Sequence, residues 1–271
     1  MSELLKDKVA LVTGASRGVG FSTASELARR GAKVVITARG EKRLLDSREK
    51  LAAIGGEVAA VVGDVGKWDD AKRMIAAAVE RFGRLDILIN NAGVSMRGKF
   101  DELTPEVCLQ VAQTNLMGCI YTTKAAINHI IASKGSVVFI SSIAGLFGLP
   151  GASIYCAAKR ALTGLAESMR LELIPKGVHV GVIYLGFTEH DPEKRLIAAD
   201  GSLLPPDRPA HHTQEHAAKL IIKMIEKRKR QLIMTPAGSI GWIVYRLSPA
   251  IIEKAVLMAQ SGQWGIYKRF S

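Results

Sequence analysis

Seven short apolar runs, separated by stretches of helical periodicity, constrain the fold of this chain more than any other feature. They are apolar throughout instead of alternating, and they lie at residues 8–14, 33–38, 57–64, 85–93, 136–142, 178–186 and 231–235. Strands that are apolar on both sides are typical of a parallel sheet covered by helices on each face. With right-handed crossovers, the pattern predicts an α/β fold with a doubly wound, mostly parallel, seven-stranded Rossmann-like sheet.

The domain organisation follows from what interrupts this alternation. No internal repeat or low-complexity linker is present in the 271 residues, so we predict a single domain with its core over residues 7–235. Residues 187–212 are predicted to be an irregular insertion that serves as a substrate loop. Residues 236–271 are predicted to be an apolar helical tail, which Pro249 divides into two helices. Because loops carry specificity on such folds, both segments are expected to shape the substrate pocket.

The composition excludes several classes of protein. Cys108, Cys119 and Cys156 form no CxxC pair, which argues against a disulfide framework or a thiolate metal site and is typical of a reducing compartment. No apolar run reaches the ~18 residues that would span a bilayer. The first strand-like run begins at Lys8, which leaves no room for a signal peptide. We therefore expect a cytoplasmic protein, with peripheral membrane association as an alternative.

The formal net charge of +12 is compatible with nucleic acid, a membrane surface or an anionic cofactor as partner. Part of the excess is a run of four cations at 227–230 that closes a helical stretch, where the helix dipole favours positive charge. We predict no nucleic-acid partner, because no basic strip interleaved with aromatic residues occurs. We also predict no metal site, because no carboxylate stands at ligand spacing from His190, His211, His212 or His216.

A glycine-rich turn, TGASRGVG at residues 13–20, follows the first strand-like run and opens the first helical stretch. Its glycines allow a tight turn and let backbone N–H groups approach a phosphate at the helix N-terminus, where the helix dipole favours negative charge. The spacing is GxxxGxG, and its position in a strand–turn–helix unit predicts a dinucleotide site. The predicted contacts in this turn are Gly14, Ser16, Arg17, Gly18, Val19 and Gly20.

The end of the second strand-like run indicates which dinucleotide binds. An acidic residue that binds a ribose 2′-hydroxyl is expected there. The chain instead has Arg39, and no Asp or Glu occurs between Leu27 and Gly40. Arg17 in the glycine turn adds a second guanidinium. Because guanidinium groups form paired hydrogen bonds with phosphate, these residues predict NADP(H) in preference to NAD(H).

Tyr155 and Lys159 are one helical turn apart, with only Cys156 and two alanines between them. That spacing places both side chains on the same helix face. One interpretation is an ordinary amphipathic helix with an exposed lysine and a half-buried tyrosine. The other is an acid–base pair, because a phenol alone is a poor proton donor at neutral pH and a fixed ammonium beside it stabilises the phenolate.

Together these motifs resemble those of the short-chain dehydrogenase/reductase family over about residues 7–235. The matching elements are TGASRGVG (13–20), GDV (63–65), NNAG (90–93), Asn115, SS (141–142) and YCAAK (155–159). The resemblance favours the acid–base pair. It implies an NADP(H)-dependent carbonyl reductase or alcohol dehydrogenase that moves a hydride between nicotinamide and a ketone or secondary alcohol. The alternative is a non-catalytic NADP(H)-binding sensor or scaffold, which would not need a proton donor beside the nicotinamide.

The resemblance also implies roles for individual residues. Tyr155 exchanges a proton with the substrate oxygen, Lys159 supports it and holds the nicotinamide ribose, and Asn115 anchors a water molecule. The interval to Tyr155 selects Ser142 over Ser141 as the hydrogen-bonding partner of the substrate. Ser142 also lies at the C-terminal end of a buried strand-like run, the edge where open α/β sheets bind ligands.

Further coenzyme contacts are implied by the same resemblance. Those beside the adenine or near the sheet are Asp64, Val65, Asn91, Ala92 and Gly93. After the sixth strand the chain departs from the family, because Leu185 replaces the usual Pro and His190 stands where a Thr is usual. We expect Gly186 and Thr188 to contact the coenzyme there, with Thr188 at the nicotinamide carboxamide.

Two interpretations of the tail remain open, and both favour a lipophilic substrate. The tail covers the substrate cleft or a subunit interface, or its apolar faces lie on an anionic membrane surface as a peripheral contact. Assembly is a separate prediction. The helix that carries Tyr155 continues through residues 161–174 with small and apolar residues on more than one face. It predicts a homodimer or homotetramer.

Overall fold

A computed structural model of the chain describes residues 3–189, 191, 193–206 and 211–260. The strands in this part are β1 (Val9–Thr13), β2 (Lys33–Ala38), β3 (Val58–Val62), β4 (Ile87–Asn90), β5 (Ser95–Arg97), β6 (Ser136–Ser142), β7 (His179–Leu185), β8 (Leu196–Ala198), β9 (Leu203–Leu204) and β10 (Gln231–Ile233). Seven of these described strands form one sheet in the order β10-β7-β6-β4-β1-β2-β3, and all neighbours are parallel. The predicted doubly wound sheet is confirmed.

Helices cover both faces of this sheet. They are α1 (Gly18–Arg29), α2 (Glu41–Ala53), α3 (Trp68–Phe82), α4 (Pro105–Ala112), α5 (Gly118–Ala132), α6 (Ser153–Leu173), α7 (Gln214–Glu226), α8 (Pro236–Leu247) and α9 (Pro249–Gln260). Helices α1, α2 and α7 contribute to the core on one face, and α3, α5 and α6 contribute to the core on the other. A short π-helical stretch, Gln113–Met117, joins α4 to α5.

Strand β1 shows why the strands are apolar on both sides. Ala10 and Val12 belong to the core under α1 and α7, whereas Val9 and Leu11 belong to the core under α3 and α5. All four are fully buried. Successive side chains of a strand point to opposite faces, so the central positions of a strand covered twice face helices on either side and are apolar.

The strand order reverses beside β1. Strands β2 and β3 extend the sheet to one side, and β4, β6, β7 and β10 extend it to the other. The connections after β1 and β4 therefore diverge, which leaves a crevice at the carboxyl ends of the strands.

The insertion at 187–212 is more regular than the sequence predicts. Strands β8 and β9 form an antiparallel pair, and β8 also pairs in parallel with β5, which follows β4. Ile197 of β8 packs with Met96, Val107 and Val111 in a small core cluster. The prediction of an irregular segment was wrong for this part because β8 is stabilised by residues about a hundred positions earlier in the chain.

The described part of the tail, residues 236–260, forms the two helices α8 and α9 that were predicted. Pro249 is the first residue of α9, a position where proline is tolerated because the missing N–H has no partner within the helix. The described helices include none with the length and apolar character needed to cross a membrane. Residues 261–271 of the predicted tail lie outside the described residues.

Candidate active site

A cavity of about 1330 Å³ lies at the carboxyl ends of β1, β2, β3, β4, β6 and β7. It exceeds the roughly 300–1,000 Å³ of a typical small-molecule pocket. Its walls come from the turns that follow these six strands, from the start of α6 and from the small sheet β5-β8-β9. Its position matches the crevice that the reversal of strand order creates.

Most of the predicted site residues meet in this cavity. The lining includes Gly14, Ser16, Arg17, Gly18, Val19, Gly20, Arg39, Asp64, Val65, Asn91, Ala92, Gly93, Ser142, Tyr155, Lys159, Gly186 and Thr188. Asn115 is the one predicted residue that does not line it. His190 lies outside the described residues.

The glycine turn leaves the start of α1 open toward the cavity. Gly14 has φ +64°, and a Cβ atom there would lie 2.7 Å from the Cα of Ala92. Helix α1 begins at Gly18, and no side chain of the described residues caps its first turn. The unpaired N–H groups of that turn are therefore available to an anion, which the helix dipole favours.

Thr13, at the end of β1, joins the glycine turn to the turn after β4. Its hydroxyl accepts hydrogen bonds from the backbone N–H groups of Asn91 and Ala92, both at 3.0 Å. The side-chain amide of Asn91 donates in return to the backbone oxygens of Thr13 at 2.8 Å and Gly14 at 3.1 Å. Sequence reasoning missed Thr13, because a threonine at a strand end carries no signal of its own.

Three arginines surround the end of the cavity beside β2. Arg17 lies 3.6 Å from Asp191, Arg39 lies 4.0 Å from Asp64, and Arg43 pairs with Glu193. Burial, followed by repulsion from Arg43, lowers the pKa of Arg17 from its ordinary value, although the group stays cationic at neutral pH.

Arg43, in the first turn of α2, was also missed by sequence reasoning. A search for cations in that turn would have found it.

The buried hydroxyl of Thr37, at the end of β2, has no hydrogen-bond partner in the described part of the chain.

Tyr155 and Lys159 lie on the face of α6 that borders the cavity. Lys159 is only 4% exposed, so it is not the exposed lysine of an ordinary amphipathic helix. Its Nζ donates to the backbone oxygen of Ile140 at 2.8 Å and lies 5.8 Å from the centre of the Tyr155 ring. An ammonium has three donors, so this hydrogen bond uses one of them.

Ser142 ends β6 on the same side of the cavity. Its Oγ accepts a hydrogen bond from the backbone N–H of Ala144 at 3.2 Å, which orients the hydroxyl at the head of the short turn Ile143–Gly145. A phenol, a serine hydroxyl and a buried ammonium thus share one wall. Such a set can hydrogen-bond a polarised oxygen and exchange a proton with it.

Asn115 lies fully buried behind that wall, within the π-helical stretch. Its Oδ1 accepts from the backbone N–H of Val94 at 2.9 Å, and its Nδ2 donates to the backbone oxygen of Val94 at 2.8 Å. The amide therefore fixes the turn after β4. Such π-bulges are frequent at functional sites.

The cysteines and histidines of the described residues form no metal-binding group. Burial raises the pKa of the Cys119 thiol to about 11, so this cysteine is an unreactive thiol at neutral pH. No group of histidine, cysteine, aspartate and glutamate residues in the described part of the chain is arranged to hold a metal ion.

Comparison with known proteins agrees with this arrangement. The family model for short chain dehydrogenase matches residues 8–200. The chain is 40% identical over 192 residues to the 11-beta-hydroxysteroid dehydrogenase-like 4A protein of Arabidopsis thaliana, covering 70% of this chain and 64% of that relative. It is 36% identical over 244 residues to the L-rhamnose 1-dehydrogenase (NAD(P)(+)) of Azotobacter vinelandii, covering 88% and 86%.

A solved structure is also similar. It is that of a short chain dehydrogenase/reductase from Burkholderia phymatum in complex with NAD, which superposes with a TM-score of 0.82 at 25% identity and covers 93% of this chain and 96% of that one. The family match spans well over half of the residues, including the turn after β1, the wall of β6 and the start of α6. The chain therefore belongs to the short-chain dehydrogenase/reductase family of Rossmann-fold oxidoreductases.

Proposed function

We propose that the protein is an NADP(H)-dependent carbonyl reductase or alcohol dehydrogenase. The observation that supports this most is that the Tyr155 phenol, the Ser142 hydroxyl and the buried Lys159 ammonium line the same cavity as the glycine turn. In that arrangement, a group that exchanges protons lies next to a site for a hydride carrier. Bound NADP(H) would supply or accept the hydride.

The residues of the cavity fit a dinucleotide. The uncapped start of α1 offers backbone N–H groups to the pyrophosphate, and Gly14 lets this turn lie close to Ala92, where a Cβ atom would be 2.7 Å from the Ala92 Cα. The unpartnered Thr37 hydroxyl lies at the same edge. Asp64, Val65 and the turn over residues 91–93 would form the remaining walls of the nucleotide site.

In the proposed reduction, Ser142 donates a hydrogen bond to the substrate carbonyl oxygen and holds it near Tyr155. Tyr155 gives its proton to that oxygen as the carbon is reduced, and Lys159 stabilises the resulting phenolate. In the oxidation of an alcohol, the phenolate takes the proton back. Asn115 acts by holding the turn at Val94 in place, and its predicted contact with a water molecule remains a prediction.

The preference for NADP(H) is supported by charge. Arg17, Arg39 and Arg43 line the end of the cavity beside β2, where an acidic residue would otherwise bind a ribose 2′-hydroxyl. Guanidinium groups suit a 2′-phosphate because they offer paired N–H donors in one plane.

A lipophilic substrate is supported by the other end of the cavity. Met96, Leu149, Phe187, Leu196 and Leu203 contribute apolar surface there. Val256 of α9 also lines the cavity, which favours the interpretation that the tail helps to cover the substrate cleft. A bulky ketone or secondary alcohol fits such walls.

The proposed activity is tested with a panel of ketones and secondary alcohols, followed by NADPH absorbance. We expect turnover of bulky apolar members. Tight NADPH binding without turnover across the panel would instead identify the non-catalytic sensor.

We also propose a homodimer or homotetramer that pairs through α6. Ala157, Ala161, Gly164 and Leu171 lie along one exposed stripe of this helix. Small residues allow two helices to approach closely across a two-fold axis. Light scattering that detects only monomer at micromolar concentration would contradict this.

Finally, we propose that the outer face of the tail contacts an anionic membrane surface. On the inner face, Trp242 packs against the core and Tyr245 contacts Phe147. The outer face exposes aliphatic side chains, with Arg246 and Lys254 on the same helices: Ile240, Ile243, Leu247, Ile251 and Leu257. Aliphatic residues flanked by cations are typical of helices that lie in the lipid headgroup region.

A further inference from the structure

The segment after β7 brings two carboxylates onto the nucleotide end of the cavity. Asp191 Oδ1 lies 3.6 Å from Arg17 Nη1, and Glu193 pairs with Arg43. All four residues line the cavity. The segment that borders the substrate side of the cavity thus forms ion pairs with arginines on the coenzyme side.

Negative charge is favoured beside Arg17 and Arg43. Arg17 directly precedes α1, and Arg43 lies in the first turn of α2. Both helix ends favour an anion through the helix dipole, and the two cations repel one another. Two kinds of anion can lie beside these arginines: the carboxylates of Asp191 and Glu193, or a phosphate of the coenzyme.

Arg39 differs from these two arginines. Its acidic neighbour, 4.0 Å away, is Asp64, which follows β3 and accepts a hydrogen bond from the backbone N–H of Gly66 at 2.9 Å. That carboxylate belongs to the edge of the main sheet and not to the segment after β7. The competition for arginines is therefore restricted to Arg17 and Arg43.

We propose that Asp191 and Glu193 are specificity-determining residues that compete with the ribose 2′-phosphate of NADP(H) for Arg17 and Arg43. The inference rests on the NADP(H) site proposed above. A dianionic phosphate makes stronger, paired contacts with guanidinium than a carboxylate does, so NADP(H) displaces both carboxylates. NAD(H) has no 2′-phosphate and leaves the two ion pairs intact. Competition is reciprocal, so each carboxylate weakens NADP(H) binding.

The test compares dissociation constants for NADPH and NADH, measured by fluorescence titration of the full chain. We expect the double variant Asp191→Asn/Glu193→Gln to bind NADPH about two- to tenfold more tightly, the scale of two exposed ion pairs, and NADH with little change. The matched control is Glu189→Gln, because Glu189 lies on the same segment but accepts from the backbone N–H of Gln214 at 3.0 Å. Like either single substitution of the double variant, it removes one negative charge, and it releases neither arginine.

A double-mutant cycle isolates the interaction between Glu193 and Arg43. In an Arg43→Gln background, Glu193→Gln should have no effect on NADPH binding, because the group for which it competes has been removed. Equal tightening for both coenzymes, the same tightening in the Glu189→Gln control, or weaker NADPH binding in the double variant would each overturn the inference.

Failure of the proposed coenzyme preference has a different signature. If the unmodified chain binds NADPH no more tightly than NADH, the preference fails. The competition still stands if the double variant gains affinity for NADPH alone. If the unmodified chain prefers NADPH and the double variant leaves that ratio unchanged, only the competition is wrong.

Discussion

The two ends of the cavity are built in different ways. At the nucleotide end, backbone groups and short side chains connect neighbouring strands, as where Thr13 and Asn91 join the turns after β1 and β4. At the substrate end, the walls come from the small sheet β5-β8-β9 and from α9, which pack through apolar side chains. The first end depends on main-chain geometry that few residues satisfy, whereas the second depends on side-chain shape.

This difference explains what each end can recognise. Main-chain N–H groups at a helix start bind phosphate regardless of what else the ligand carries, so the nucleotide end suits one shared coenzyme. Apolar side chains of the small sheet and of α9 can be substituted without disturbing the main sheet. The substrate end therefore tolerates changes in its sequence. The tests below perturb the chemistry between the ends, then the nucleotide end, then the substrate end.

The largest effect is expected for Tyr155→Phe, at the junction of the two ends. The variant keeps the ring and loses the proton donor, so turnover should fall by about 10²-fold or more while NADPH binding persists. Steady-state kinetics and fluorescence titration measure the two effects. Tyr121→Phe is the control, because Tyr121 contacts Trp68 and lies outside the cavity. Near-normal turnover of Tyr155→Phe would remove this residue from the mechanism.

At the nucleotide end, Arg39→Ala should weaken NADPH binding by about 1.5–3 kcal/mol, the scale of a charge-assisted hydrogen bond. NADH should bind almost unchanged because it has no 2′-phosphate. Fluorescence titration with both coenzymes measures the difference. Arg48→Ala is a control for net charge, because Arg48 lies on α2 and does not line the cavity. Equal losses for the two coenzymes would assign Arg39 another role.

Gly14→Ala tests the backbone of the nucleotide end. A positive φ costs a non-glycine residue about 1–2 kcal/mol, and the new Cβ would also meet the Cα of Ala92 at 2.7 Å. We expect a lower free energy of unfolding in urea and coenzyme binding weakened by about tenfold, because Gly14 lines the cavity.

Gly83→Ala provides the comparison for this variant. Gly83 has φ +78° at the end of α3, but a Cβ there meets no atom within 4 Å. It should lose stability through φ alone and bind coenzyme normally. If Gly14→Ala is no more destabilising than Gly83→Ala, the close approach to Ala92 does not constrain this turn.

At the substrate end, a chain that ends at Thr235 should keep NADPH binding and lose several-fold in kcat/KM on bulky apolar ketones, because it lacks the wall at Val256. Full activity of a folded truncated chain would contradict the role of the tail as a cover.

The smallest effect on catalysis is expected for Ile243→Glu/Leu247→Glu on the outer face of α8, where both side chains are exposed. Turnover in solution should not change, while flotation with anionic vesicles at low salt should be lost. Ser239→Glu, which adds one negative charge at a partly buried position of α8, serves as a comparison for electrostatic repulsion alone and is compared with Ile243→Glu by itself. If the unmodified chain does not float with such vesicles, the membrane contact is wrong.

Local patterns in the sequence determined the main sheet, the glycine turn, and the placement of Tyr155 and Lys159 on one helix face. A strand covered by helices on both faces is apolar along its centre, so Val9 to Val12 indicate burial without further information. The spacing of glycines in one turn, and of Tyr155 and Lys159 on one helix turn, are likewise properties of neighbouring residues. Such requirements are visible before the chain folds.

Only the tertiary structure decided which distant residues meet. The pairing of β8 with β5, the link from Thr13 to Asn91, and the use of the Asn115 amide to hold Val94 all join residues that are far apart in the sequence. The ion pairs of Asp191 and Glu193 with Arg17 and Arg43 do the same across the cavity. Charged and polar side chains such as these occur throughout the sequence. Their partners depend on the packing of the sheet and not on the local pattern.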